Sequence, residues 1–134
     1  MITNVSQYQY GRCKIMGLQS VNVNDLEQAE REIFDRVFGG VQYTDITGET
    51  TARAVVAEMF APFVWAQFQR NRAQYVAASG QVTQSATSYG VVATSRVLRV
   101  WNEGVDAGRR LYATHKDDIV AEFPHLRFIA DYVL

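Results

Sequence analysis

The sequence predicts a mainly α-helical fold, a small bundle of three to five helices with a β-hairpin or extended loop inserted between the two longest helices. Three observations predict it. Apolar residues recur at helical spacing between Asn24 and Gly39, from Thr50 or Thr51 to about Ala78, and again from Thr94 or Ser95. Between Arg72 and Arg96 not one residue carries charge, and most of that gap, SGQVTQSATSYGVVATS, is small, polar and punctuated by glycine. The chain has 134 residues, a length that suits one domain with an ordinary core. The expected layout is a single helical domain over 1–134, with an N-terminal extension 1–23, the insertion 79–94 and a C-terminal arm 124–134.

Asn24 is placed to cap the first helix, with Glu27 at capping-box spacing and Gly39-Gly40 able to end it. Leu26, Ala29, Ile33 and Val37 form its apolar stripe. Asp25, Glu27, Glu30 and Glu32 load its N-terminal half with negative charge, which favours the helix dipole, and the reading is an amphipathic surface helix. The loop VQYTDITGE follows, with Gly48 marking a turn.

The second helix contains Pro62, which kinks it or divides it in two. Before the proline Val55, Val56 and Met59 share a face, and after it Val64, Phe68 and Tyr75 share another, with Trp65 nearby. Apolar residues on successive faces mark either the central helix of a bundle or one shared with a neighbour.

Gly80 can terminate this helix, and Gln81 to Thr87 alternates loosely before Ser88-Tyr89-Gly90, a plausible turn into Val91-Val92. A lone hairpin is marginal in water, so this segment pairs outside itself or remains a surface loop.

The third helix is strongly amphipathic. Val97, Leu98, Trp101, Gly104, Val105, Gly108, Leu111 and Tyr112 share one side, opposite Arg96, Arg99, Glu103, Asp106 and Arg110. Spacing pairs Arg99 with Glu103 and Asp106 with Arg110. Gly104 and Gly108 let another helix, the second, approach closely, and Phe63, Phe68 and Trp101 are the large residues expected to pack there with them. KDDIVAEF makes a short helix or last turn stopped by Pro124, and the apolar end HLRFIADYVL docks on its own domain or on a neighbour.

Composition excludes several functions. The chain is 48% hydrophobic and 20% charged with a net charge of −1, and nothing overall marks a nucleic-acid binder. Residues 1–52 carry a net −3, 53–116 a net +5 and 117–134 a net −3, which fits solvated helix faces or head-to-tail packing of copies. A single cysteine, Cys13, allows no intrachain disulfide and fits a reducing compartment; it reads as a semi-buried small apolar residue rather than a nucleophile. The run Met59 to Phe68 is too short to span a bilayer, and the N-terminus lacks the apolar core of a secretory signal. His115 and His125 have no metal-ligand spacing, Gly39-Gly40 lacks the Lys-Ser/Thr of a phosphate loop, and Asp117-Asp118 begins a helical turn. No catalytic residue, metal or cofactor is expected, and the chain is not expected to be an enzyme.

The order of these features resembles a family. A first helix with AEREIFDRVFGGVQYTDIT, a long helix through APFVWAQFQRN, a polar excursion QVTQSATSYGVV and a long closing helix look like bacteriophage head-to-tail connector proteins, also called adaptor or neck-ring proteins. The likeness is greatest to a form found in tailed phages of Bacteroidetes, including crAss-like phages. It runs roughly from Asp25 to Phe123 and rests on Ala29-Glu30, Phe38-Gly39, Tyr43 and the polar run before Gly90-Val91-Val92.

The resemblance implies a structural virion protein, made in the host cytoplasm and located in the neck of the particle. Copies of itself, commonly twelve, would form a ring beneath the portal protein, joined to other neck or tail proteins and surrounding the DNA exit channel. Non-specific contact with packaged DNA is possible, and no membrane is involved. It also implies that a loop and a terminal arm reach the portal or adjacent subunits, which points to Val82, Thr83, Tyr89, Val91, Val92, Phe128, Ile129 and Tyr132 as interface residues. A cellular helical interaction module without catalysis is the alternative.

Overall fold

The computed structural model describes residues 1–78 and 92–133, without the side chains of 75–78. It is mainly helical, as expected, and among the described residues it has four α-helices: α1 (Val23–Val37), α2 (Thr51–Ala78), α3 (Thr94–Thr114) and α4 (Lys116–Glu122). The sheet is one short antiparallel pair, β1 (Phe38–Gly39) and β2 (Arg127–Phe128), with Phe38 opposite Phe128 and Gly39 opposite Arg127. The hairpin expected between the two longest helices lies outside the described residues.

The central-helix reading of α2 is correct. α1 and α3 both pack along it, and α4 packs on α2 and α3. From Val55 to Phe68 every α2 side chain is buried except Glu58, Pro62 and Gln67, so this helix is apolar on nearly all sides. Phe34, Phe38 and Phe60 form a cluster of tilted and edge-on rings, with centroids 5.4–5.7 Å apart.

Pro62 does not divide α2, which runs unbroken from Thr51 to Ala78. The ring is accommodated by the facing helix, because a Cβ on Gly104 would come within 2.8 Å of Pro62 Cβ. The glycine supplies the space that the proline ring occupies. Thr50 opens α2, its hydroxyl accepting from the Arg53 amide at 3.2 Å.

Helix α1 starts earlier than expected. Asn22, not Asn24, caps it, its side-chain oxygen accepting from the Asn24 amide at 2.9 Å. It also ends earlier, because Phe38 turns extended into β1, and Gly39-Gly40 follows the helix rather than capping it. Gly40 has φ +80°, and a Cβ there would overlap the His125 carbonyl oxygen, so the chain crosses itself at this point through a residue that must be glycine.

Residues 1–22 are not a loose extension. Ile2, Tyr8, Cys13 and Ile15 are buried in the same core cluster as the helices, through short 3₁₀ turns at Val5–Tyr8, Gly11–Cys13 and Leu18–Ser20. The physical cause is apolar area that α1 and α2 leave uncovered, together with the polar anchors described next.

Candidate assembly surface

Three features surround the central helix: an N-terminal strap, a C-terminal arm, and the roots of the charge-free insertion. Glu30 anchors the strap. Expected on a solvated face, this carboxylate is instead fully buried. It accepts the amides of Ile2 (2.7 Å) and Thr3 (2.8 Å), the Thr3 hydroxyl, and the Tyr43 hydroxyl at 2.5 Å. Tyr8 adds to the network by donating to the Thr3 hydroxyl at 2.7 Å. Four donors around one carboxylate give a buried charge the hydrogen bonds that it needs.

Farther along the strap, Gln7 Nε2 donates to the Ala57 carbonyl at 3.2 Å and Trp65 Nε1 donates to the Lys14 carbonyl at 3.1 Å. Arg12 reaches across to Glu103 of α3, Nη1 to Oε2 2.8 Å. Glu103 is therefore engaged by the strap rather than by Arg99, and Asp106 accepts from the Tyr132 hydroxyl rather than pairing with Arg110. Tertiary partners stand where spacing predicts helical i,i+4 pairs; Arg12 and Glu103 are themselves both exposed, so one surface pair replaces another of comparable, small worth.

The C-terminal arm docks on its own chain. Trp101 Nε1 donates to the Asp131 carbonyl at 2.7 Å. Asn102 holds Val133 from both sides, Nδ2 donating to its carbonyl at 2.7 Å and Oδ1 accepting its amide at 2.8 Å. Tyr112 donates to the Leu126 carbonyl at 3.2 Å.

Of the residues expected at an interface, Phe128 is committed within this chain. Its ring meets Phe38 and Phe63, with centroids 6.0 and 5.9 Å away, and lies against Gly108. Gly108 thus makes room for the arm, not for α2; only Gly104 faces the second helix. Ile129 and Tyr132 remain 45% and 48% exposed. Val92 is half-buried against the core, while Val82, Thr83, Tyr89 and Val91 lie outside the described residues. Phe63, Phe68 and Trp101 are all buried, with Phe63 edge-on to Trp101 at 4.7 Å.

Two clefts flank the α1–α2 seam. The larger, about 770 Å³, is lined by Asn22 and Gln28 on the α1 side and by Phe68, Asn71 and Gln74 of α2. The smaller lies between α1 and α3 and is lined by Arg36, Arg70, Gln67 and Trp101, with Arg36 stacked 4.8 Å from the Trp101 ring centroid.

Among the described residues the thiol and the two imidazoles do not converge on one site. Cys13 is buried, and loss of hydration pushes its thiol up to about 11, away from the thiolate that nucleophilic catalysis uses. His125 is exposed and His115 half-buried, and the described residues contain no cluster of three or more potential metal ligands. Among them no helix is long and apolar enough to cross a membrane. Burial, followed by the hydrogen bond to Glu30, raises the Tyr43 hydroxyl well above its ordinary value, and burial also raises Tyr8. No family model matches the chain, and neither a curated protein nor a solved structure matches it.

Spacing marked Glu30 only as a charge favourable to the helix dipole, and neither Tyr8 nor Asn102 stood out as an anchor. A signal existed for Glu30, which stands four residues after Leu26 and four before Phe34, both buried on the core face of α1. No comparable signal marked Asn102, whose partner is a backbone amide 31 residues away.

Proposed function

We propose that the protein is a non-enzymatic structural subunit that works by assembling with copies of itself, in the manner of the phage head-to-tail connectors it resembles. In this reading it forms a ring, of twelve copies as the resemblance implies, that joins the portal to the tail and surrounds the DNA exit channel in the neck of the virion. One observation carries the reading: the stretch without charge between Arg72 and Arg96 connects the two longest helices of the core. A segment that must enter an interface without water would have to desolvate any charge it carried, so an uncharged composition suits that task. Support also comes from the arm, which is held on α3 yet leaves Ile129 and Tyr132 exposed beside it.

Native mass spectrometry of the chain, alone and with the portal protein of the phage that encodes it, tests this reading. Closed oligomers or a portal-bound ring are expected. A monomer that ignores the portal at high concentration overturns it and favours a cellular interaction module. Deleting Gly80 to Gly90 is expected to leave a folded helical monomer that no longer assembles; global unfolding would place that segment in the core instead.

A further inference from the structure

We infer that the smaller cleft, between α1 and α3, receives an acidic side chain of α4 from a second copy of the chain, so that copies join end to end through charge. This rests on the assembly reading above and names a contact that uses neither the uncharged insertion nor an extended arm.

The cleft sets two cations beside an aliphatic wall. Arg36 of α1 and Arg70 of α2 line it, both exposed, and among the described residues no acidic side chain does. Neither arginine has an ion-pair partner among those residues. The acid one turn before Arg36, Glu32, instead accepts from Asn71 Nδ2 at 2.6 Å. Arg36 lies 4.8 Å from the Trp101 ring centroid, and that ring is itself fixed by its hydrogen bond to the Asp131 carbonyl. A guanidinium held on an aromatic ring keeps N–H groups able to donate, so Arg36 is oriented without being neutralised.

Shape and donors select the chemistry of the occupant. The cleft is about 100 Å³, the space of roughly three waters, so it takes one small head group. Gln67 Nε2 is committed to Asn71 Oδ1 at 3.0 Å, which leaves the two guanidinia as side-chain donors, while Ala66, Val97 and Leu98 present aliphatic surface. A phosphate would turn oxygens toward that surface without donors, whereas a carboxylate on a methylene stem needs donors only at its tip. The side chain of Asp or Glu meets both requirements.

Helix α4 carries such groups. Lys116–Glu122 holds three acids and one lysine, a net −2, and Asp117, Asp118 and Glu122 are exposed with no ion-pair partner among the described residues. Asp117 and Val120 stand one turn apart on one face, and Val120 is 39% exposed. Acid and aliphatic group lie side by side there, as arginine and the half-buried Leu98 do at the cleft.

The chain's own α4 is out of reach. α3 runs antiparallel to α2, with Val97 and Leu98 beside Ala66 and Arg70 at the cleft and Gly104 against Pro62. From Leu98 it continues to Thr114, about 24 Å along the helix, and α4, at seven residues, is about 10 Å long. Cleft and acids therefore stand at opposite ends of one subunit, a heterologous pair of the kind that closes rings.

Charge reversal tests the inference. One protein carries Arg70→Glu and another carries Asp117→Arg with Asp118→Arg; all three side chains are exposed, and both proteins are expected to keep the helical circular dichroism of the parent. By native mass spectrometry each variant alone is expected to self-associate at least about tenfold more weakly than the parent, because every contact now sets like charges together. An equimolar mixture is expected to recover association in strict alternation, since each cleft then meets an α4 of opposite charge. Unchanged association of either variant beside an associating parent overturns the cleft and leaves assembly standing, whereas a parent that does not associate overturns both. Variants that each weaken but fail to rescue one another overturn the pairing of cleft with α4.

Sedimentation of the unsubstituted chain supplies an independent arm. Its association is expected to weaken at least about tenfold between about 0.05 M and about 1 M salt. Association that does not respond to salt overturns the inference.

Discussion

The Thr3 amide donates to the Glu30 carboxylate at 2.8 Å, which fastens the start of the chain to the middle of α1. Glu30 is fully buried and has the Ile2 amide and two hydroxyls as further donors. Glu30→Ala is expected to cost about 3 kcal/mol or more, because it strands several buried donors at once. Glu30→Gln keeps one acceptor oxygen and should cost less. Urea denaturation of the two variants checks the order, and equal stability of Glu30→Ala and the parent would show that the strap does not depend on this carboxylate.

Gly108 faces the Phe128 ring with no room for a Cβ. Gly108→Ala gains about 1 kcal/mol of helix propensity but forces the ring aside, an overpacking cost of about 1–3 kcal/mol. The expected sum is destabilising. Adding Phe128→Leu should restore part of the loss, and a double-mutant cycle that returns no coupling between the two positions would contradict this packing.

Asn102 reads the arm's backbone through both ends of its amide. Asn102→Ala should cost about 1–2 kcal/mol and let the Val133 amide exchange rapidly with solvent. Hydrogen exchange followed by mass spectrometry checks this. Protection of Val133 that survives the substitution would assign the arm's hold to its other contacts, the Trp101–Asp131 hydrogen bond and the packing of Phe128 and Ala130.

Burial raises the Cys13 thiol from 9.0 to about 11, and the Tyr8 and Tyr43 hydroxyls also rise, chiefly through burial. Each group has a folded value above its unfolded one. Each therefore contributes stability that is complete at neutral pH and is lost as pH rises past the unfolded value. For Cys13 the window runs from 9.0 to about 11. Its share is at most about 3 kcal/mol, the free energy that corresponds to holding the thiol protonated across that window. Thermal melts across alkaline pH should show the midpoint falling over that window, with a shallower fall in Cys13→Ala. An identical slope in both proteins would remove Cys13 as a contributor.

The sequence by itself determined the helices and their order. The apolar spacing of Leu26, Ala29, Ile33 and Val37, and that of Val97, Trp101 and Val105, allows one buried face each, while the two faces of α2 fit the centre of a bundle or a helix shared with a neighbour, and the packing of α1 and α3 along it puts it at the centre. Local chemistry also placed Thr50 at the start of α2 and the turn at Gly48, whose φ is +89°.

Only the tertiary structure decided where residues 1–22 and 124–133 go. Their anchors are backbone amides and carbonyls, which every residue carries, met by single side chains far away in sequence: Glu30 for Thr3, Trp65 for Lys14, Asn102 for Val133. Glu30 was partly legible, since its place between Leu26 and Phe34 puts it on the core face, but nothing local says which donors will meet it. The same holds for Arg12 and Glu103, which pair at 2.8 Å across 91 positions, and for Gly108, whose missing side chain makes room for Phe128 rather than for the second helix. Periodicity reports how a helix faces its core, and it carries no information about which distant segment fills the space that remains.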